Sequence, residues 1–262
     1  MLSHRGTERT FMHNLRLAVL LSFVGGLVNV IGFLSLKMMT TNLTGYLAVF
    51  VSNLLTLHWD EVITVIAIIF SFFFGAFTSH FILNIQLRLL KKVHFAVPLV
   101  FESMMLAVLG YYGIEWINEG YGLEVGCFML FLMGLQNSLV TFISNAVIRT
   151  THVTGIFTDL GIEVARLFFN FTNGEERKRL FALIGLKVSI VSSFCIGGLV
   201  GAYFFHLIGF EVLYIGSAVI LFTSVYDYLK IKMKKVIEEG KKHVVWKKRK
   251  FIPSKDHTMP KP

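Results

Sequence analysis

Residues 41–45 read Thr-Asn-Leu-Thr-Gly, and residues 151–155 read Thr-His-Val-Thr-Gly. Each stretch leads into an apolar segment, 43–57 in the first half and 153–169 in the second, of roughly 15–17 residues. A helix needs about 20 residues to cross the hydrocarbon core of a bilayer, so both segments fall just short of a full span. The repeat and the membrane topology of the chain are inferred from these two short segments, which begin with similar sequences.

The surroundings of the two short segments repeat as well. Residues 26–29 read Gly-Leu-Val-Asn, and residues 134–137 read Gly-Leu-Gln-Asn. Downstream, each half has a glycine-interrupted apolar segment, at Gly75 in the first half and at 197–201 in the second. Because these motifs recur in the same order, the sequence predicts an internal duplication of about 110 residues.

The composition places the chain in a membrane. Apolar residues make up 55% of it, charged residues only 16%, and the mean hydropathy is +0.67. A soluble domain would have about a quarter of its residues charged. The apolar runs are continuous and do not alternate as barrel strands do, so we predict an all-α polytopic membrane protein. The apolar segments are 15–36, 43–57, 62–87, 94–113, 121–147, 153–169, 180–206 and 209–229.

The net charge of +9 lies in short loops and in the C-terminal tail, so the positive-inside rule explains it better than a nucleic-acid partner does. An alternative for part of the tail, residues 232–249, is a basic helix on the membrane surface. The expected organisation is a cytoplasmic N-terminus (1–14), membrane repeat 1 (15–113), membrane repeat 2 (121–229) and a basic cytoplasmic tail (230–262).

The positions of the basic residues discriminate between two topologies. If all eight segments cross, Arg88, Lys91 and Lys92 fall outside the cell, against the positive-inside rule. If the two short segments re-enter the face they came from, these residues fall inside. Six full spans then remain, three in each half, and the halves form an inverted repeat. We favour this arrangement and keep eight spans, with two of them short, as the alternative.

The second-half motif resembles a known family. Residues 134–137, with residues 149–161 reading Arg-Thr-Thr-His-Val-Thr-Gly-Ile-Phe-Thr-Asp-Leu-Gly, are similar to the bacterial YoaK-like membrane proteins, domain of unknown function 1275. The likeness runs from about Leu17 to Tyr228. It implies a multi-pass protein of the bacterial inner membrane and brings no activity with it. The first half departs from the family pattern at Asn29, where an acidic residue is expected, and at Tyr46, where an Asn is expected.

Half-helices in inverted repeats commonly form substrate sites near the membrane midplane. Their N-termini offer free N–H groups to an anion or another hydrogen-bond acceptor. The alternative is that the small residues here only permit tight helix packing. The candidate solute-binding residues are Thr41, Asn42, Thr44 and Gly45 in the first half, Thr151, His152, Thr154 and Gly155 in the second, and the matched pair Asn29 and Asn137.

Charged residues in the second half suggest ion coupling. Asp159, Glu163 and Arg166 lie on one helical stripe, and charges at membrane depth usually face the bundle interior. We expect Glu163 to pair with Arg166, and Asp159, the deeper residue, to be a proton or cation coupling site. The alternative for Asp159 is a salt bridge to Lys187. For Glu102, a partner is expected in Lys187 or a histidine.

The residues therefore favour a secondary transporter or channel for a small polar or anionic solute, with proton coupling as one option. The alternative is a non-transporting scaffold or partner subunit. An enzyme that uses His152 and the nearby carboxylates ranks below both, because no nucleophile or metal set accompanies them. No cofactor or metal is expected. The expected partners are the lipid bilayer and the solute, and a homo-oligomer is compatible with the sequence.

Overall fold

The computed structural model describes residues 11–91, 93–144, 153–169 and 174–226, with side chains from residue 15 onward. Over these residues the chain is helical and has no strand, as predicted. The helices are α1 (Phe11–Leu36), α2 (Leu43–Leu55), α3 (Trp59–Leu90), α4 (Ala96–Asn118), α5 (Gly122–Ser144), α6 (Val153–Phe169) and α7 (Gly174–Ile208), followed by the 3-10 turn Gly209–Val212 and a helical stretch at 213–226, called the C-terminal segment below.

Five helical stretches are long and apolar enough to cross a membrane: Leu15–Leu36, Trp59–Leu90, Ala96–Asn118, Gly122–Ser144 and Gly174–Tyr226. The described helices are thus those of a multi-pass membrane protein. α2 and α6, of 13 and 17 residues, are not among the five. α3 extends beyond its predicted apolar core because Asp60 and Glu61 in its first turn and Arg88 in its last suit the helix dipole.

Two close helix crossings form the centre of the bundle, α1 with α7 and α3 with α5. In each crossing, the glycine of a Phe-x-x-Gly sequence lies directly on the backbone of the other helix's phenylalanine, where a Cβ would collide with the carbonyl oxygen. Small residues let membrane helices approach this closely. The four sequences are Phe23–Gly26, Phe72–Gly75, Phe131–Gly134 and Phe194–Gly197, paired first with fourth and second with third.

Within each crossing the two helices run parallel. Later residues of α1 contact later residues of α7. At the start of this contact, Ser193 Oγ donates to the carbonyl of Val19 at 2.6 Å. The contacting pairs are Val19 with Ser193, Phe23 with Gly197 and Leu27 with Gly201. α3 and α5 also run parallel: Gly75 lies on the backbone of Phe131 near one end of the contact, and the ring of His80 meets that of Phe142 near the other.

α1 and α5, by contrast, run antiparallel. Gln136 Nε2 donates to the carbonyl of Leu21 at 3.0 Å, and later residues of α1 meet earlier residues of α5. The contacting pairs are Leu21 with Gln136, Gly32 with Met129, and Leu36 with Gly122. It follows that α1 and α7 run one way through the bundle, while α3 and α5 run the other way.

α4 and the C-terminal segment pack together beside this centre. Ser103 and Ser217 hydrogen-bond each other, and each hydroxyl lies within hydrogen-bonding distance, 2.9 and 2.8 Å, of the other's backbone oxygen. Gly113 of α4 lies against the ring of Phe210, which is almost fully buried.

Candidate functional site

After α1 ends, the chain turns back along the helix it has just left. The methyl group of Thr40 lies against Gly32, and the Thr40 side chain is fully buried. The backbone N–H and the hydroxyl of Thr41 both donate to Asn29 Oδ1, at 3.2 and 3.0 Å. α2 therefore begins level with Asn29, about two turns below the end of α1.

The first turn of α2 is capped locally. Asn42 Oδ1 accepts the backbone N–H of Gly45 at 3.2 Å and the hydroxyl of Thr44 at 3.0 Å. Only one of the four N–H groups that a helix start leaves unpaired is taken by this cap. From here α2 leads to a short turn and α3, and it packs against α3 on the way.

The starts of α2 and α6 meet at one cavity of about 530 Å³. It lies between the two central crossings, since all four crossing helices contribute side chains to it. Its lining comprises Asn29, Thr41, Asn42, Leu43, Thr44, Phe72, Asn137, Val153, Thr154, Gly155 and Phe194. We call this the central cavity. Each of the two predicted repeats supplies an asparagine, a phenylalanine and a helix start.

Seven of the ten candidate solute-binding residues line the central cavity. Gly45 does not, because it packs on the side chain of Asn42 instead. Thr151 and His152 lie outside the described residues. The polar groups that line the cavity are amides, hydroxyls and backbone, and no charged side chain lies among the described lining residues. Such a surface suits a small polar solute or an anion that accepts hydrogen bonds from helix starts.

Phe72 and Phe194 also line the central cavity, although the sequence motifs do not single them out. They occupy matching places in α3 and α7, and each also belongs to a central crossing. Their neighbours Phe70, Phe73 and Phe74 on α3 are exposed instead. The fourfold Phe-x-x-Gly pattern was the available signal, because it marks the residues held at the crossings.

Charges cluster at Lys187, outside the central cavity. Its ammonium is 2.5 Å from Glu163 Oε1 and 3.3 Å from Asp159 Oδ2. The expected pairing of Glu163 with Arg166 is wrong, because Lys187 reaches Glu163 from the adjacent helix and the Arg166 side chain is exposed. The alternative drawn for Asp159, a salt bridge to Lys187, is the arrangement that the structure has.

The burial within this cluster also differs from expectation. The Glu163 side chain is only 9% exposed, whereas that of Asp159 is 58% exposed. Glu163 Oε2 is buried and has no hydrogen-bond partner. The stripe is therefore turned so that Glu163, the middle residue, faces α7, and Asp159 is the peripheral member. We call Lys187, Glu163 and Asp159 the charge cluster.

Glu102 pairs with neither Lys187 nor a histidine, contrary to expectation. Its side chain is fully buried in α4, and neither carboxyl oxygen has a hydrogen-bond partner. Lys187 is instead engaged by the two carboxylates of α6. Among the described residues no group of three or more His, Cys, Asp or Glu side chains is placed to hold a metal ion.

The comparisons with known proteins give a family and no activity. The model of the family described as "Protein of unknown function (DUF1275)" matches residues 17–226 of the chain. No curated protein and no solved structure matches the chain.

Proposed function

We propose that this chain, which belongs to the DUF1275 family of proteins of unknown function, is a secondary transporter or channel for a small polar or anionic solute. Its architecture would be an inverted repeat of six spans and two re-entrant half-helices. The observation that carries the proposal is the central cavity, to which both halves contribute equivalent residues and both half-helices present their starts.

Helix directions support re-entry of α2. Three helices separate α1 from α5, and if each crossed the membrane, α1 and α5 would run parallel. They run antiparallel, which is expected if α2 leaves by the face it entered. The return of Thr41 to the level of Asn29 supports the same path.

The same reasoning applies to α6. α7 runs parallel to α1 and therefore antiparallel to α5. Only α6 separates α5 from α7, and a crossing α6 would make them parallel. Six spans follow if the stretch Gly174–Tyr226 crosses twice, with its turn at 209–212. At 53 residues this stretch is more than twice the length that one span requires.

A solute screen followed by flux measurements tests the transport function. Small carboxylates, inorganic anions and neutral polar solutes would be screened by thermal shift on the purified protein, and the hits assayed for flux in liposomes. Thr154→Val removes a hydroxyl from the cavity lining and is expected to abolish flux. The matched control is Thr158→Val, one turn along the exposed side of α6 and outside the cavity lining.

Coupling to protons is assigned to the charge cluster. The reason is that Lys187 pairs with two carboxylates of α6, so protonation of either carboxylate changes the net charge of the cluster. Asp159→Asn is expected to remove the dependence of flux on a proton gradient. Unchanged flux in Thr154→Val, together with an unchanged dependence on the proton gradient in Asp159→Asn, contradicts the site. Absence of any flux, together with a co-purifying membrane protein, would favour the scaffold or partner-subunit function.

A further inference from the structure

A second cavity adjoins the central cavity at the α3–α5 crossing. It has a volume of about 560 Å³ and lies along α3 and α5. It shares Phe72 and Asn137 with the central cavity. Its lining comprises Phe72, Ala76, His80, Asn137, Ser138, Thr141 and Phe142. We call this the vestibule.

The vestibule leads to a defined end of the bundle. Phe72, Ala76 and His80 are spaced by one turn each, so they follow one face of α3 toward its C-terminal end. That end has Arg88 and Lys91, whereas the opposite end of α3 begins with Asp60 and Glu61. We call these two ends of the bundle the basic face and the acidic face.

The equivalent position on the other crossing is packed differently. From the matched pairs Asn29/Asn137 and Gly75/Gly197, Val30 is equivalent to Ser138, and Gly198 to Ala76. Val30 Cγ2 lies so close to Gly198 that a Cβ there would be 2.9 Å from it. A valine packed on a glycine therefore occupies the place where the vestibule has a serine and an alanine.

We propose that solute reaches the central cavity from the basic face through the vestibule, and that the contact of Val30 with Gly198 is the gate toward the acidic face. The inference rests on the proposed function and adds to it the entry side and the gate. In an inverted repeat, exchanging the packing of the two crossings exchanges the open side. The closed packing is built from Val30 and Gly198, and the open packing from Ser138 and Ala76.

Thiol labelling measures this asymmetry without any known solute. In a Cys127→Ser, Cys195→Ser background, Ser138→Cys and Val30→Cys would be treated with a membrane-impermeant thiol reagent from each face. We expect modification of Ser138→Cys from the basic face and no modification of Val30→Cys from the acidic face. Leu139→Cys, at a fully buried neighbouring position, is the control that stays unmodified.

Exchange of the two packings tests the gate directly. Val30→Ser with Gly198→Ala gives the α1–α7 crossing the residues of the open side. A cysteine at Asn29, which lines the central cavity, is then expected to gain labelling from the acidic face. The reverse exchange, Ala76→Gly with Ser138→Val, is expected to cause loss of labelling of Asn137→Cys from the basic face. Each double variant gives one crossing the residue pair that the other crossing already accommodates.

Labelling of Val30→Cys from the acidic face at the rate of Ser138→Cys from the basic face would overturn the inference, and so would failure of Ser138→Cys to react. These outcomes are separable from failure of the proposed function. Asymmetric labelling without flux of any solute would leave the vestibule and gate standing and remove the transport function. Flux of a solute with symmetric labelling would leave the transport function standing and remove the vestibule and gate.

Discussion

Lys187 joins two carboxylates of α6 to α7. Its side chain is 15% exposed and that of Glu163 is 9% exposed, so neither charge is well solvated. Breaking a buried pair by removing one partner costs far more than the pair contributes net, because the remaining charge has no compensation. The stability of α6 against α7 therefore depends on both members of the pair.

Lys187→Met is expected to destabilise the protein by about 3–5 kcal/mol, the cost of leaving Glu163 charged, buried and alone. Melting of the purified protein in detergent measures the loss. The matched control is Lys178→Met in the same helix, whose partner Glu175 and own side chain are exposed, so the change there is about 0–1 kcal/mol. Combining Lys187→Met with Glu163→Gln should recover part of the lost stability; equal melting of Lys187→Met and Lys178→Met would refute the pairing.

Asn29 holds the start of α2 through a single oxygen. Asn29→Ala removes the acceptor of two hydrogen bonds from Thr41, at a cost of about 1–2 kcal/mol. We expect faster hydrogen exchange in the peptide covering residues 37–46. Asn29→Asp keeps an acceptor oxygen in place, so exchange there should stay slow. Equal exchange in both variants would mean that Asn29 does not anchor α2.

At the scale of the elements, the four Phe-x-x-Gly sequences determine how the helices cross. Each glycine admits a partner backbone so closely that a methyl group has no room. Gly197→Ala is therefore expected to destabilise the protein by about 1–3 kcal/mol, despite the better helix propensity of alanine. Gly185→Ala in the same helix has nothing within 4 Å of the new methyl group and should be neutral or stabilising. Thermal melting compares the two variants. A lower melting temperature for Gly185→Ala than for Gly197→Ala would refute the close crossing.

The elements themselves were largely predictable, because apolar run length reports directly on membrane helices. α2 and α6 begin at Leu43 and Val153, as the sequence predicts. Helix pairing was not predictable from the same signal. Hydropathy does not distinguish a glycine under a partner backbone from one such as Gly185 that faces outward, so the central crossings appear only in three dimensions.

The candidate site was predictable to the extent that it is built from repeated sequence. Asn29, Thr44, Asn137 and Thr154 were found by comparing the halves, and they line one cavity. The contacts of the charge cluster were not, because single-helix spacing places Glu163 beside Arg166, whereas its partner is on another helix. Pairing across elements depends on how each helix is rotated, and the low hydrophobic contrast around α7 does not specify that rotation.

At the scale of the whole molecule, the proposed topology requires the two short helices to return to the face from which they came. The directions of α1, α5 and α7 support this path for both halves. It places Lys91 on the same side of the membrane as the N-terminus and His58 on the other. If all eight segments crossed, Lys91 would lie opposite the N-terminus and His58 would lie beside it.

The most direct test is sided thiol labelling of Ser3→Cys, His58→Cys and Lys91→Cys, one at a time, in cells and in inverted vesicles, with Cys127 and Cys195 replaced by serine. The account predicts that Ser3→Cys and Lys91→Cys react from one side, the cytoplasmic one, and His58→Cys from the other. Labelling of Ser3→Cys and His58→Cys from one side, with Lys91→Cys opposite, would contradict it.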